Sequence, residues 1–210
     1  LTEEIGLRGN WSIFNGSLSL YHADVRDELL GVKLHPTDIS ATYFNASPTT
    51  HQGVELGLDT TLWRAAGSTT DAPNAIVFRQ NYTYTDLHYD HDALLGHNQL
   101  PGIPPNFYEA ELRYTHPSGV YAGVNTQYSS GYYVDYANTY KNNAFVVLGA
   151  KVGYSPSGGH WDTYLQAKNL TNAHYAASIL TQYDLHGKDG DLVFVPGDGF
   201  GVFGGVTFHM

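Results

Sequence analysis

Cysteine is absent from the sequence, which removes disulfides, thiolate metal sites and a thiol nucleophile together. Charge is scarce: charged residues are 14% of the 210, where an ordinary soluble domain carries roughly 25%. The basic sign is the scarcer one, with 10 Lys and Arg against 20 Asp and Glu and a net charge of −10. That leaves no footprint for a phosphate backbone, and nucleic acid is not an expected partner. A run of about 18 apolar residues is also missing, so no membrane-crossing helix is written here, although crossing strands remain open. The chain opens at Leu1 with neither a basic nor an apolar leader segment, which places any signal peptide outside it.

What the sequence does have is tyrosine, 17 residues beside 9 Phe and 3 Trp. A phenol ring buries its body and keeps its hydroxyl wet, the behaviour favoured at a lipid–water boundary. Period-two alternation recurs in segments of about ten residues, the length of a tilted membrane strand. In 144–154, Ala144, Val146, Leu148, Ala150, Val152 and Tyr154 oppose Phe145, Val147, Gly149, Lys151 and Gly153. In 107–115, Tyr108, Ala110, Leu112 and Tyr114 oppose Glu109, Glu111 and Arg113, three charges that need water. Segments 120–129 and 161–168 repeat the pattern, and further strands fit 2–11, 17–30, 51–63, 76–89 and 199–209.

Nine strands follow. Between them, short links at Phe14–Gly16, Pro117–Gly119 and Ser155–Gly159 take turns with long ones at 31–50, 90–106, 131–143 and 170–198. Long loops at one rim and tight turns at the other describe an up-and-down antiparallel barrel in an outer membrane. A secreted β-sandwich that binds carbohydrate alternates similarly and is the soluble alternative. An odd count of up-and-down strands puts the termini on opposite rims and leaves the two edge strands parallel, whereas bacterial barrels are normally even and lipid does not tolerate open edges. The expectation is therefore a single partial domain over 1–210, with earlier strands cleaved or carried elsewhere.

Four stretches, in order, carry a resemblance: Glu4–Gly9, Thr50–Gly57 (Thr-His-Gln-Gly-Val-Glu-Leu-Gly), Leu100–Asn106 (Leu-Pro-Gly-Ile-Pro-Pro-Asn) and Ala167–Asn172 with Tyr175. The whole chain resembles the C-terminal barrel of TonB-dependent outer-membrane receptors, in the branch of the ferric-citrate and aerobactin receptors. The resemblance implies a 22-stranded barrel, a plug domain absent from this chain, energy from TonB, contact with outer-membrane lipid and lipopolysaccharide, and a ferric siderophore or other metal chelate as cargo. It implies no catalysis and no cofactor. Phe208 is followed by His209 and Met210, whereas the family usually ends on an aromatic.

Candidate sites lie in the loops. Tyr132, Tyr133, Tyr136 and Tyr140 offer stacking faces and hydroxyls, and Asp135 and Asn138 offer orienting groups, for recognition of a solute. Tyr128 reads as girdle. His88, Asp90, His91 and Asp92 have the chemistry of divalent-cation ligands; Asp184, His186, Asp189 and Asp191 form a similar patch. Glu109, Glu111 and Arg113 suggest an ion-pair network on the lumen wall rather than acid–base catalysis. The expected function is TonB-dependent import at the outer membrane of a Gram-negative cell, the alternative a passive porin-like channel.

Overall fold

A computed structural model describes every residue except 36, 37, 39, 70–72, 157, 189–193 and 209–210. Its main feature is one nine-stranded antiparallel sheet. In chain order the strands of the sheet are β1 (Thr2–Asn10), β2 (Phe14–Val25), β5 (Thr49–Arg64), β6 (Ala75–Tyr89), β7 (Asn106–Thr115), β8 (Val120–Ser129), β9 (Phe145–Tyr154), β10 (Trp161–Lys168) and β13 (Gly201–Phe208). Each pairs with its neighbours in that order, as an up-and-down meander whose edges are β1 and β13. Two small hairpins sit in the connections: β3 (Leu29–Val32) with β4 (Thr42–Asn45), and β11 (Ala176–Ile179) with β12 (Phe194–Pro196).

Residues opposite one another in a ladder project to the same face, so the register sorts the side chains. Leu18, Leu56, Tyr82, Tyr108, Tyr128 and Val146 form one continuous row. Leu112, Val124, Ala150, Ala167 and Val202 form another on the same face. Leu112 (40%), Val124 (54%) and Leu165 (54%) are exposed there. A sheet of this breadth with an apolar face turned outward is stable in hydrocarbon, whereas a sandwich would cover that face with a second sheet. Trp63, Tyr114, Tyr154 and Trp161 lie toward the short-turn rim of this face, while Tyr82, Tyr84, Tyr108 and Tyr128 lie toward the other. These are the two belts that amphipathic rings make at membrane boundaries.

Three sequence expectations need correction. Phe14 to Gly16 belong to β2, and the first turn is 11–13, where the Trp11 N–H donates to the Phe14 carbonyl at 2.8 Å and the two rings stack at 4.6 Å. The expected strand over 17–30 ends at Val25, and the chain resumes pairing as β3 against β4. Strand 51–63 is longer, Thr49–Arg64, because Thr49 and Thr50 already pair with Tyr89 and His88 and pairing resumes past a bulge between Thr61 and Trp63.

Where a soluble protein would have its core, this one has loops. Val32, Ala46, Tyr89, Leu100 and Tyr136 form a buried cluster, and Val134 and Leu185 a second, both at the long-loop rim.

Candidate functional site

The polar face is the mirror of the apolar one. Ser17, Asn81, Glu109 and Gln127 share a row, as do Asp59, Arg79, Glu111 and Asn125. Alternation places them there; water or protein in the lumen must solvate them. The Nε of Arg79 lies 3.4 Å from Asp59, its direct cross-strand neighbour. Among the described residues no such pair joins Glu109, Glu111 and Arg113, so the expected network through them is not formed. Arg113 faces Gly123 and Val77 across its two ladders and has no carboxylate opposite. Its guanidinium lies instead over the Tyr121 ring at 4.3 Å, and Lys151 over Tyr164 at 4.5 Å.

Gly53, in the Gln-Gly-Val-Glu stretch, belongs to this face. A side chain there would collide with the Tyr84 carbonyl and with the Tyr21 ring that lies across it, so the residue serves close backbone approach and not a bulge.

Four long connections cap the same end of the wall, and they are knitted together. The segment 181–183 runs between 33 and 134–137, joined to each by an isolated parallel bridge at Gln182. The Lys33 N–H donates to the Thr181 carbonyl (3.1 Å), the Tyr136 N–H to Gln182 (3.1 Å) and the Ala137 N–H to Tyr183 (3.0 Å). The 90–105 connection joins through Asn138, whose side chain accepts from the Gln99 N–H at 2.8 Å and donates to the Gln99 carbonyl at 2.9 Å. At the centre, fully buried Asp135 accepts from the Thr139 N–H, the Thr139 hydroxyl, the Tyr140 N–H and the Leu185 N–H. Buried donors left unpaired are costly, and one carboxylate here satisfies four.

Residues 2–170 match the family described as TonB dependent receptor-like, beta-barrel. This chain belongs to the TonB-dependent receptor β-barrel family. Family members are transporters and not enzymes, and they reside in the outer membrane. Among solved structures, the copper transporter OprC matches at TM-score 0.75 and 19% identity over 100% of this chain and 31% of its own. The ferric citrate transporter FecA in its unliganded form matches at TM-score 0.72 and 18% identity, covering 98% and 30%. The siderophore receptor PiuA from Acinetobacter baumannii matches at TM-score 0.67 and 22% identity, covering 99% and 28%. The chain thus spans about a third or less of the structures it matches, and this likeness concerns the fold.

Within the TonB-dependent receptor wall, the loop candidates take specific places. Tyr136 and Tyr132 are buried, at 4% and 6% exposure. Burial pushes the Tyr136 phenol up to about 12 and the Tyr132 phenol up as well. The Tyr136 hydroxyl donates to the Gly31 carbonyl at 3.2 Å. Asp135 and Asn138 are taken up by the bonds above, Asn138 in a left-handed conformation (φ 57°) that Asn tolerates. Tyr140 packs against Phe194, and Tyr133 carries Lys141 over its ring at 5.0 Å. Most of the stretch proposed for solute recognition is therefore built into the cap. Tyr128 lies in the outer girdle row.

The four candidate metal ligands are not brought together. His88 Nδ1 lies 3.2 Å from Asp86, the Asp90 N–H donates to the Pro48 carbonyl, and His91 packs against His97. Asp92 accepts from the Leu94 and Leu95 N–H groups at 2.8 Å and from the Ser47 hydroxyl at 2.7 Å, the last holding its carboxyl below the usual range. Among the described residues no group of three or more His, Asp or Glu is poised for a cation. Asp184 pairs with His186 at 3.0 Å and bonds Thr139; Asp189 and Asp191 lie outside the described residues.

Sequence reading missed a cavity of about 470 Å³ between the lumen-facing upper ends of β7–β9 and the loops, with Phe107, Gln127, Phe145 and Tyr132 among its walls. The available signal was Phe107 and Phe145, aromatic residues at the upper end of the lumen face.

Proposed function

We propose that this chain is one wall of an outer-membrane receptor for TonB-dependent uptake of a scarce metal chelate, a ferric siderophore being the leading class. The observation that carries the reading is one sheet with an apolar exposed face and a polar lumen face, capped by loops tied into a single unit, in a chain of this receptor family. An open channel needs no interlocked cap. A receptor that must hold a rare solute above a closed lumen does, because a preorganised site loses less entropy on binding. The metals named in its structural relatives, copper in one and ferric citrate in another, agree with a metal-bearing cargo.

In this reading β1 and β13 pair with further strands, 1–210 form the C-terminal part of the barrel, and a plug domain fills the lumen against Glu55, Glu109 and Arg79. TonB acts through that plug, and the apolar face meets lipid and lipopolysaccharide. The test is uptake of labelled iron and of labelled copper across a panel of chelates, in cells with and without the complete receptor and with and without TonB. Loss of uptake in both deletions is expected for at least one chelate. Uptake that persists without TonB would mark a passive channel, and no chelate phenotype would sink metal uptake.

A further inference from the structure

Resting on that uptake reading, the geometry points to a cargo that carries no net negative charge, bound in the cavity between the upper ends of β7–β9 and the loops. The cavity holds about 470 Å³ and no charged side chain lines it. That volume falls in the range of sites for drug-sized ligands. Phe107 and Phe145 project into the lumen at the last tier of the wall, and Tyr132, 6% exposed, closes the side toward the loops. Pro104 and Thr181 complete the rim. The Thr181 hydroxyl is committed to the Gly31 carbonyl at 3.0 Å. The half-buried Gln127 amide has no hydrogen-bond partner among the described residues, which leaves it available to a ligand.

The lining sets the charge. Directly across the ladder from Gln127 stands Glu109, with Glu111 two residues further along the same face, and both share a lumen pocket with Arg79 and Lys151, which leaves that tier balanced. Neither has a Lys or Arg within 4.0 Å among the described residues. The loop cation Lys141 is drawn over the Tyr133 ring. The long connections hold Arg26, Lys33, Lys141 and Lys188 against a larger number of acids, among them Asp27, Glu28, Asp90, Asp92, Asp135 and Asp184. A chelate with three negative charges would leave water and meet no counter-charge in the cavity's own walls, so its desolvation would go uncompensated. Three hydroxamates, each losing one proton to Fe(III), leave a complex of zero net charge. Its organic arms suit aromatic walls, and its amide-like oxygens can accept from the Gln127 amide.

The test uses the complete receptor in detergent, with binding read by quenching of intrinsic fluorescence. Two probes are titrated: an uncharged ferric trihydroxamate and a triply anionic ferric tricatecholate. The wild-type receptor is expected to prefer the uncharged probe by at least about tenfold. Phe107→Ala or Phe145→Ala is expected to weaken that probe by about tenfold, the scale of an aromatic anchor, and Gln127→Arg to shrink the preference by at least about tenfold. Equal or tighter binding of the anion by wild type overturns the inference even if a variant fails to fold, and so does a preference that Gln127→Arg leaves unmoved. TonB-dependent uptake of an anionic chelate alone would overturn it while sparing the uptake reading. Failure of every chelate to be taken up would remove both.

Discussion

In the sheet, Leu112, Val124, Val152 and Leu165 stand 40%, 54%, 47% and 54% exposed, while in the loops and at the tip of β6 Val134, Asp135 and Tyr89 are at 0%. Apolar side chains are turned out of the wall, and a carboxylate is sealed inside the cap. The reason is that the two regions face different solvents. Hydrocarbon covers the wall and gains nothing from hiding leucine, so the strands are held by ladder hydrogen bonds that lipid cannot replace. Water covers the cap, and the cap needs an ordinary core and full satisfaction of its buried polar groups. The difference teaches that wall and cap are held by separable means: ladder bonds secure the wall, and a buried, hydrogen-bonded core secures the cap.

Breaking the cap should have the largest effect. Asp135→Ala strips a shared acceptor from three backbone N–H groups and one hydroxyl. The expected cost is on the order of 3 to 5 kcal/mol, confined to the loops. Hydrogen exchange on the complete receptor should show 133–140 and 180–185 losing protection while β7 to β9 keep theirs. A uniform loss across both regions would mean that wall and cap are one cooperative unit.

The wall is broken differently. Val124→Arg places a charge among Leu112, Ala150 and Ala167 on the lipid side, with an expected cost of about 2 to 4 kcal/mol near the midplane. Asn81→Arg, on the lumen face, should cost less than about 1 kcal/mol. Urea titration in lipid vesicles, read by the mobility shift of the unheated barrel, separates them. Equal costs would mean that the apolar face does not meet lipid.

How far the sequence could be read follows the same division. Alternation over residues such as Val146, Leu148, Ala150 and Val152 is a local, period-two signal, and every strand of the sheet was legible from it, as was the sorting of long and short connections. Boundaries slipped where tertiary context decides them, as at Trp11 to Phe14, where a ring stack and one hydrogen bond move the turn. The cap was not legible. Asp135 meets Leu185 and Asn138 meets Gln99 across separations of 50 and 39 residues, and no periodicity reports such contacts. Composition could not sort the tyrosines of 132–140, because the same amphipathic ring serves a binding face, a girdle and a buried junction: Tyr136 sits in the buried cluster, whereas Tyr132 lines the cavity. Only packing distinguishes these uses. The four members of the His88 to Asp92 cluster failed to converge for a related reason, since strand alternation and a tight loop send neighbouring side chains in different directions.

Tyr136 gives a smaller effect with a sign that can be checked. Burial raises its phenol from 10 to about 12, so the folded cap favours the neutral form. The stabilisation is fully present below about pH 10 and is lost as pH rises through 12. Protection of 31–33 and 181–183 should therefore fall in that window while the wall is unaffected. Tyr136→Phe should shrink the alkaline step, leaving the part due to buried Tyr89 beside it, and cost about 1 kcal/mol at neutral pH through the lost bond to Gly31.

The smallest expected effect sits at the junction of two connections. Asp92 holds the turn 92–96 by accepting from Leu94 and Leu95, and ties it to Ser47 of the neighbouring connection. Its pKa is depressed, first by the Ser47 hydroxyl, so its contribution is present above the ordinary carboxylate range and disappears as pH falls through the lowered value. Asp92→Asn keeps one acceptor oxygen and should cost a few tenths to about 1 kcal/mol, seen as faster exchange at Leu94 and Leu95 with no change at Asn138 or Gln182. Adding Zn²⁺ or Mn²⁺ to the complete receptor should leave exchange at those two amides unchanged in wild type and variant alike. If either cation slowed it in wild type and not in Asp92→Asn, the carboxylate would be a metal ligand after all, and its turn-forming bonds would be the resting arrangement of a site that closes around the ion.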